Sequence, residues 1–159
     1  RYKIGSGKGK SGLTLKKATV TIPALTSQLH VARDAVTEFT GDLLDSAGQK
    51  RIILAIDEAL SNIIIHGYKN DSSGEITIDM QSDGPELKFI ISDNAPSFNP
   101  LEIPPPDIDN YLESGQTGGL GIDIYKRIMD VSYERKETGG NRLIMVTTAE
   151  KKSSGIQHS

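Results

Sequence analysis

Glu58, Asn62 and His66 stand four residues apart in the run DEALSNIIIHGY, residues 57–68. Residues at that spacing lie above one another on a helix. A carboxylate, a carboxamide and an imidazole along one edge of an apolar face are costly for a purely structural helix. They make sense where that edge looks into a polar pocket. A glutamate there can take a proton from a hydroxyl or water attacking a phosphate. An asparagine carbonyl suits a hard cation such as Mg²⁺, which keeps several waters and uses few protein ligands. Asp93 closes a second run whose interior, Phe89, Ile90 and Ile91, is apolar, and a carboxylate at a strand end can accept from an exocyclic amine such as that of adenine. Thr117, Gly118, Gly119, Leu120 and Gly121 open a further helical pattern. Glycines at a helix start let backbone N–H groups approach an anion.

Taken singly, each of these elements also has an ordinary structural reading. A glycine pair before a helix is commonly a tight turn, and an Asp–Asn pair suits one equally. A lone Glu or Asn on a helix edge is usually solvated surface, and His66 before Gly67 can cap or pack as well as it can serve a site. The GGLG turn fails the dinucleotide fingerprint, because Ile124 occupies the third glycine position. The GKS at 9–11 invites a P-loop reading, but Ile4 stands where that motif needs glycine, and neither a preceding strand nor a following helix is expected. His30 and His158 have no companions. The order and spacing of the parts together carry the weight.

The elements that must position these groups follow from hydropathy patterning. Residues 1–12 (RYKIGSGKGKSG) are Gly/Ser/Lys-rich with almost nothing apolar to bury, and read as a flexible extension or tag remnant. Leu15, Ala18, Val20 and Ile22 make an edge strand ended by Pro23. Thr26 or Ser27 caps a helix expected to run to about Ala47, with Gly48 closing it. The second helix is expected over 49–68, and on its wheel Glu58, Asn62 and His66 fall within roughly 80° beside the apolar face. Two alternating strands, 75–81 and 86–93, meet at Asp83-Gly84 as a hairpin. Residues 94–117 hold five of the chain's seven prolines; so long an irregular segment suits a lid or binding loop. A third helix to about Asp130 and two strands, 131–136 and 142–148, complete the pattern, and a polar tail runs from Glu150. The expected fold is α+β, a two-layer sandwich with a mixed, mainly antiparallel sheet covered on one face by helices.

Composition bounds the setting. A chain of 159 residues suits one domain with a real core. It has no Cys, so disulfides and thiolate metal sites are excluded and a reducing compartment is the default. No apolar run approaches the roughly 18 residues of a membrane span, and no secretory signal is visible. Net charge is -3, and the first 12 residues hold four bases and no acid, leaving 14 basic against 21 acidic residues in the body. An acidic body argues against nucleic acid as the main partner. The expectation is a cytoplasmic, single-domain soluble protein.

An ExxxN helix, a strand ending in Asp, a variable Pro-rich segment, GGLGI at a helix start and a closing GGNRL hairpin together resemble the GHKL (Bergerat-fold) ATP-binding domain, the superfamily of gyrase B, MutL and the histidine kinases. EALSNIIIHGY, DNAPSFNPLEIPPPD, GGLGI and GGNRLIM look specifically like the anti-sigma-factor serine/threonine protein kinases, over about residues 13–149. The resemblance implies that Glu58 is the catalytic base toward a Ser or Thr hydroxyl, that Asn62 ligates Mg²⁺, and that His66 borders the ATP. It implies that Asp93 receives the adenine amine. Thr117 would end the lid, and Gly118, Gly119 and Gly121, with Leu120 between, would form the hinge and phosphate loop. The superfamily's DxGxG turn reads DNAPS here, with Ala95 and Ser97 at the glycine positions; Pro96 and Phe98 fit a DxxPxF variant found in related domains. The implied partners are an anti-sigma-factor antagonist as substrate, a sigma factor, and a second copy in a homodimer, with no direct nucleic acid and no membrane. Histidine-kinase activity is not expected, since no helix pair with a phosphoacceptor His precedes the domain. A non-catalytic regulatory module and an ATPase using water remain alternatives with the same residues.

Overall fold

The structure is a computed structural model that describes residues 2–8, 14–102 and 121–149. Six strands form one sheet: β1 (Tyr2–Lys8), β2 (Thr14–Pro23), β3 (Glu75–Asp83), β4 (Glu86–Asp93), β5 (Asp130–Arg135) and β6 (Asn141–Thr148). Their spatial order is β1-β2-β3-β4-β6-β5, and every described pairing is antiparallel. In β3 and β4 every second residue is buried, the period-2 signature of a sheet with one covered face. Ile76, Ile78, Met80, Leu87, Phe89 and Ile91 form that buried row at no measurable exposure, each worth about 1.5–3 kcal/mol of burial. The opposite face carries cross-strand polar pairs: Thr19 Oγ1 donates to Asp79 Oδ1 at 2.7 Å, and the Thr21 and Thr77 hydroxyls lie 3.0 Å apart.

The helical layer consists of α1 (Leu29–Thr40), α2 (Ser46–Asn62) and α3 (Gly121–Ile128). Helix α2 packs against both of the others, and Ala55 and Ala59, both buried, allow close approach. Phe39 of α1 meets Phe89 of the sheet edge-on, centroids 6.4 Å apart. These two layers are the α+β sandwich that the patterning predicts. Among the described residues, no helix is long and apolar enough to cross a membrane.

Four sequence expectations change. The first helix ends at Thr40, not near Ala47, and Asp45 caps a new one: its Oδ1 accepts from Gly48 N at 2.7 Å. Gly48 therefore lies in the first turn of α2 instead of closing α1. No hydroxyl of Thr26 or Ser27 caps α1; residues Thr26–Gln28 form a 3-10 turn closed by backbone bonds. Residues 2–8 are a strand, not a flexible extension, held to β2 through the ladder from Tyr2↔Val20 to Lys8↔Thr14. That ladder needs no apolar burial, and Ile4 stays 52% exposed. Strand β2 is consequently an inner strand between β1 and β3. A strand, β1, does precede the GKS, contrary to expectation; residues 9–11 lie outside the described residues, and the next described element is β2 and not the helix a P-loop needs. The Pro-rich segment beyond Glu102, the expected phosphate loop up to Leu120 and the tail from Glu150 lie outside the described residues.

Candidate functional site

The end of α2 is not a plain α-helix. After Asn62 the chain widens into a π turn, Ile63–Gly67, closed by Tyr68 N donating to Ile63 O at 2.8 Å. Such turns insert one residue per turn and occur often at functional sites. They also break the even four-residue stacking expected from sequence, because an i→i+5 turn advances each residue by less than an α turn does. Glu58 is half-buried, Asn62 is 7% exposed, and His66 is exposed. The His66 ring instead faces Phe98, centroids 6.1 Å apart and inclined by 33°.

The π turn seats directly on the loop that follows Asp93. A Cβ on Gly67 would sit 3.5 Å from Ala95 Cβ and 3.6 Å from Phe98 Cδ2, so the backbone there is already in contact with that loop. Tyr68 bridges the same junction: its hydroxyl donates to Glu75 O at 2.7 Å and accepts from Asn94 N at 2.8 Å. Gly67, Tyr68, Asn94 and Pro96 line a cleft of about 420 Å³. The turn that ends the Asn62 helix and the loop that follows Asp93 thus meet where the helical layer lies on the sheet.

Asp93 continues the buried row of β4 and is 4% exposed. Its Oδ1 accepts from Ala95 N and from Asn141 Nδ2, both at 2.9 Å; Oδ2 takes no hydrogen bond among the described residues. Burial pushes the carboxyl up from its ordinary value, and the bonds from Asn141 and Ala95, with the nearby Lys136 and Arg135 cations, oppose that rise. Glu58 is also raised, first by burial and then by the neighbouring Asp57 carboxylate. Asp57 itself pairs with Arg33, whose Nε lies 3.4 Å from its Oδ1. Asn62 Nδ2 is buried with no hydrogen-bond partner among the described residues. A buried amide without its partner costs on the order of 1–3 kcal/mol, a penalty that a bound ligand can relieve.

The sequence reading missed Asn141 and Tyr68. Asn141 is 4% exposed and directly opposes Asp93 in the β4–β6 register. The turn before it brings Gly140, at φ 97°, so close that a Cβ would stand 2.1 Å from Asp93 O. The GGN sequence at a hairpin carries the signal for this close approach, but only the register shows which residue it meets. Pro96 is exposed and Phe98 half-buried beside this junction. Of the expected phosphate loop, only Gly121 falls within the described residues, as the first residue of α3; Thr117, Gly118, Gly119 and Leu120 lie outside them.

The chain is similar to several known proteins. An anti-sigma F factor of Clostridium kluyveri is 28% identical over 129 residues, 80% of this chain and 81% of the relative. A serine-protein kinase RsbW of Listeria monocytogenes is 33% identical over 81 residues, 48% of this chain and 52% of that protein. A serine/threonine-protein kinase BtrW of Bordetella bronchiseptica is 28% identical over 97 residues, 60% of this chain and 68% of that one. The family model described as a histidine kinase-like ATPase domain matches residues 22–147, which runs from the end of β2 through most of β6 and takes in the Glu58/Asn62 helix and Asp93. The chain belongs to the histidine kinase-like ATPase domain family.

Proposed function

We propose that this chain is an ATP- and Mg²⁺-dependent protein serine/threonine kinase and anti-sigma factor, which phosphorylates an anti-sigma-factor antagonist. The observation that carries the reading is a half-buried Glu58 one turn from Asn62, whose buried Nδ2 has no hydrogen-bond partner among the described residues and would donate to a phosphate oxygen. The names of the relatives, an anti-sigma factor and two serine or serine/threonine kinases, support it. In this reading Asp93 Oδ2 accepts from the adenine amine, while Pro96, Phe98 and His66 border the base. Asn62 offers its carbonyl oxygen to the metal. Among the described residues no group of three or more His, Asp or Glu side chains gathers to hold a cation alone, so phosphate and water would supply most ligands. Mg²⁺ bound there would offset charge on the phosphates during transfer.

The chemistry asked of the chain is then short. Glu58 accepts the proton of a Ser or Thr hydroxyl on the antagonist as that oxygen bonds to the γ-phosphorus. The bond from the γ-phosphorus to the ADP oxygen breaks, and the products are phosphoprotein and ADP. Gly118, Gly119, Leu120 and Gly121, with Thr117 ahead of them, would hold the phosphates at the start of α3. A sigma factor as second partner, a homodimeric state and a cytoplasmic setting belong to the same reading.

Labelled ATP with Mg²⁺ and the antagonist tests it. The unmodified protein should transfer label to Ser or Thr, and Glu58→Gln should bind ATP yet lose transfer by about 10²-fold or more. Undiminished transfer by Glu58→Gln would remove the base assignment. ATP binding without any transfer would favour a non-catalytic regulatory module, and steady phosphate release without an acceptor would favour an ATPase.

A further inference from the structure

We propose that Asn141 is the positioning residue for Asp93, and that it fixes the turn 94–98 from outside. The inference rests on the reading of Asp93 as the group that receives the adenine amine. Asn141 projects from the start of β6 opposite Asp93 and is almost fully enclosed. Its Nδ2 faces three acceptors: Asp93 Oδ1 at 2.9 Å, Ala95 O at 3.2 Å and Pro96 O at 3.1 Å. Its Oδ1 faces three donors: Phe98 N at 3.2 Å, Tyr133 OH at 2.5 Å and Arg135 Nη1 at 3.3 Å. Exchanging the amide's two ends would set acceptors against an acceptor and donors against donors, so only one orientation satisfies the cluster.

This one side chain reaches Asp93 and three residues of the following turn: Ala95, Pro96 and Phe98. Arg135 Nη1 reinforces it with a bond to Ala95 O at 3.1 Å, and Lys136 Nζ binds Asn94 Oδ1 at 3.1 Å. With Oδ1 held by Asn141 and Ala95 N, Asp93 keeps one carboxylate oxygen for a ligand, in a fixed direction. An Asp at 141 would oppose the Asp93 carboxylate and both carbonyls, and a hydroxyl has too few lone pairs and hydrogens to serve all six neighbours. Among the described residues the groups facing Asp93 are Asn141 and Ala95 N by hydrogen bond, Lys136 and Arg135 by charge, and the Tyr68 hydroxyl, whose own titration Asp93 raises. Removing the Asn141 bond leaves burial less opposed, and the Asp93 carboxyl titrates at higher pH.

Two measurements on the full chain decide it. The Asp93 carboxyl is titrated by NMR without nucleotide, and ATP and GTP affinities are measured by calorimetry with Mg²⁺. Asn141→Ala should move the Asp93 midpoint upward and cut the preference for ATP over GTP by about tenfold or more. A merely structural Asn141 would weaken both nucleotides alike and leave the Asp93 midpoint where it was, and that result overturns the proposal. If Asn141→Ala does not fold, Asn141→Ser supplies the same comparison, with the same upward shift expected and an unmoved midpoint again decisive against it. Equal affinity of the unmodified protein for ATP and GTP overturns the adenine reading and this inference with it. Discrimination that persists in the variants overturns this inference alone.

Discussion

Replacing Gly140 by alanine tests whether the β5–β6 turn holds the end of β4 by direct contact. Gly139 and Gly140 have φ of 91° and 97°, so alanine at either position meets similar left-handed strain, on the order of 1–3 kcal/mol. Their surroundings differ. A Cβ at 139 would meet nothing within 4 Å, whereas one at 140 would lie 2.1 Å from Asp93 O and 3.0 Å from Asn94 Cα. Both of those are backbone atoms, so no side-chain rotation relieves the overlap, and parting the two segments adds about another 1–3 kcal/mol. Gly139→Ala should therefore cost about 2 kcal/mol and Gly140→Ala about 4 kcal/mol, read from urea unfolding followed by circular dichroism. The gap corresponds to about 4–8 °C in Tm for a chain of this size. Only Gly140→Ala should also lower ATP affinity, since only it displaces Asp93. Equal destabilisation by the two alanines would refute the close-approach argument.

Other perturbations probe the remaining joints. Asp57→Asn removes the second cause of the raised Glu58 pKa, so the acidic limb of the phosphotransfer rate should move to lower pH; an unmoved limb would exclude Asp57 from that role. For Asp93 the folded carboxyl is raised above its ordinary 3.8, so its contribution to stability is present below that value and lost as pH rises through the folded pKa. Urea unfolding across the acid range should show this loss for the unmodified protein, and Asp93→Ala should not share it. Asp45→Ala deletes the α2 cap and should cost about 1 kcal/mol with nucleotide affinity unchanged. Tyr68→Phe leaves Asn94 N and Glu75 O without their shared hydroxyl; a cost of about 1–2 kcal/mol is expected in thermal unfolding, and none at all would show that water replaces it.

What the sequence discloses and what it hides follow from the range of the interactions involved. The β3–β4 hairpin is legible because alternation and a turn glycine are local signals, but the loop lies one residue later than Asp83-Gly84: Asp83 pairs with Glu86, and Gly84, at φ 57°, and Pro85 make the turn. The break between α1 and α2 is hidden because Leu43 and Leu44 continue the helical period across residues 41–45, so hydropathy alone sees one helix. Strand β1 is hidden for the opposite reason: its stability comes from backbone pairing with β2, which side-chain composition does not record. Glu58, Asn62 and Asp93 stand out by residue type against apolar neighbours, and the first two share one helix. Asn141 does not, because its importance lies in facing Asp93 across a ladder 48 positions away, and no local pattern carries a register. His66 is the intermediate case. Its proximity to Phe98 needs the π turn, and nothing in IIIHG distinguishes that turn from an ordinary helical one.

The π turn also makes the length of this segment a structural quantity in its own right. It acts as a phase shifter between the part of the helix that bears Glu58 and Asn62 and the part that bears Gly67 and Tyr68. Deleting one isoleucine from 63–65 would let the segment relax to ordinary helical winding with more regular hydrogen bonds. Yet everything beyond it would rotate out of step, and Gly67 would no longer meet Ala95 and Phe98. Such a lesion would be nearly silent in helical content while uncoupling the two walls of the site, so single-residue indels here should be far less tolerated than substitutions among Ile, Val and Leu.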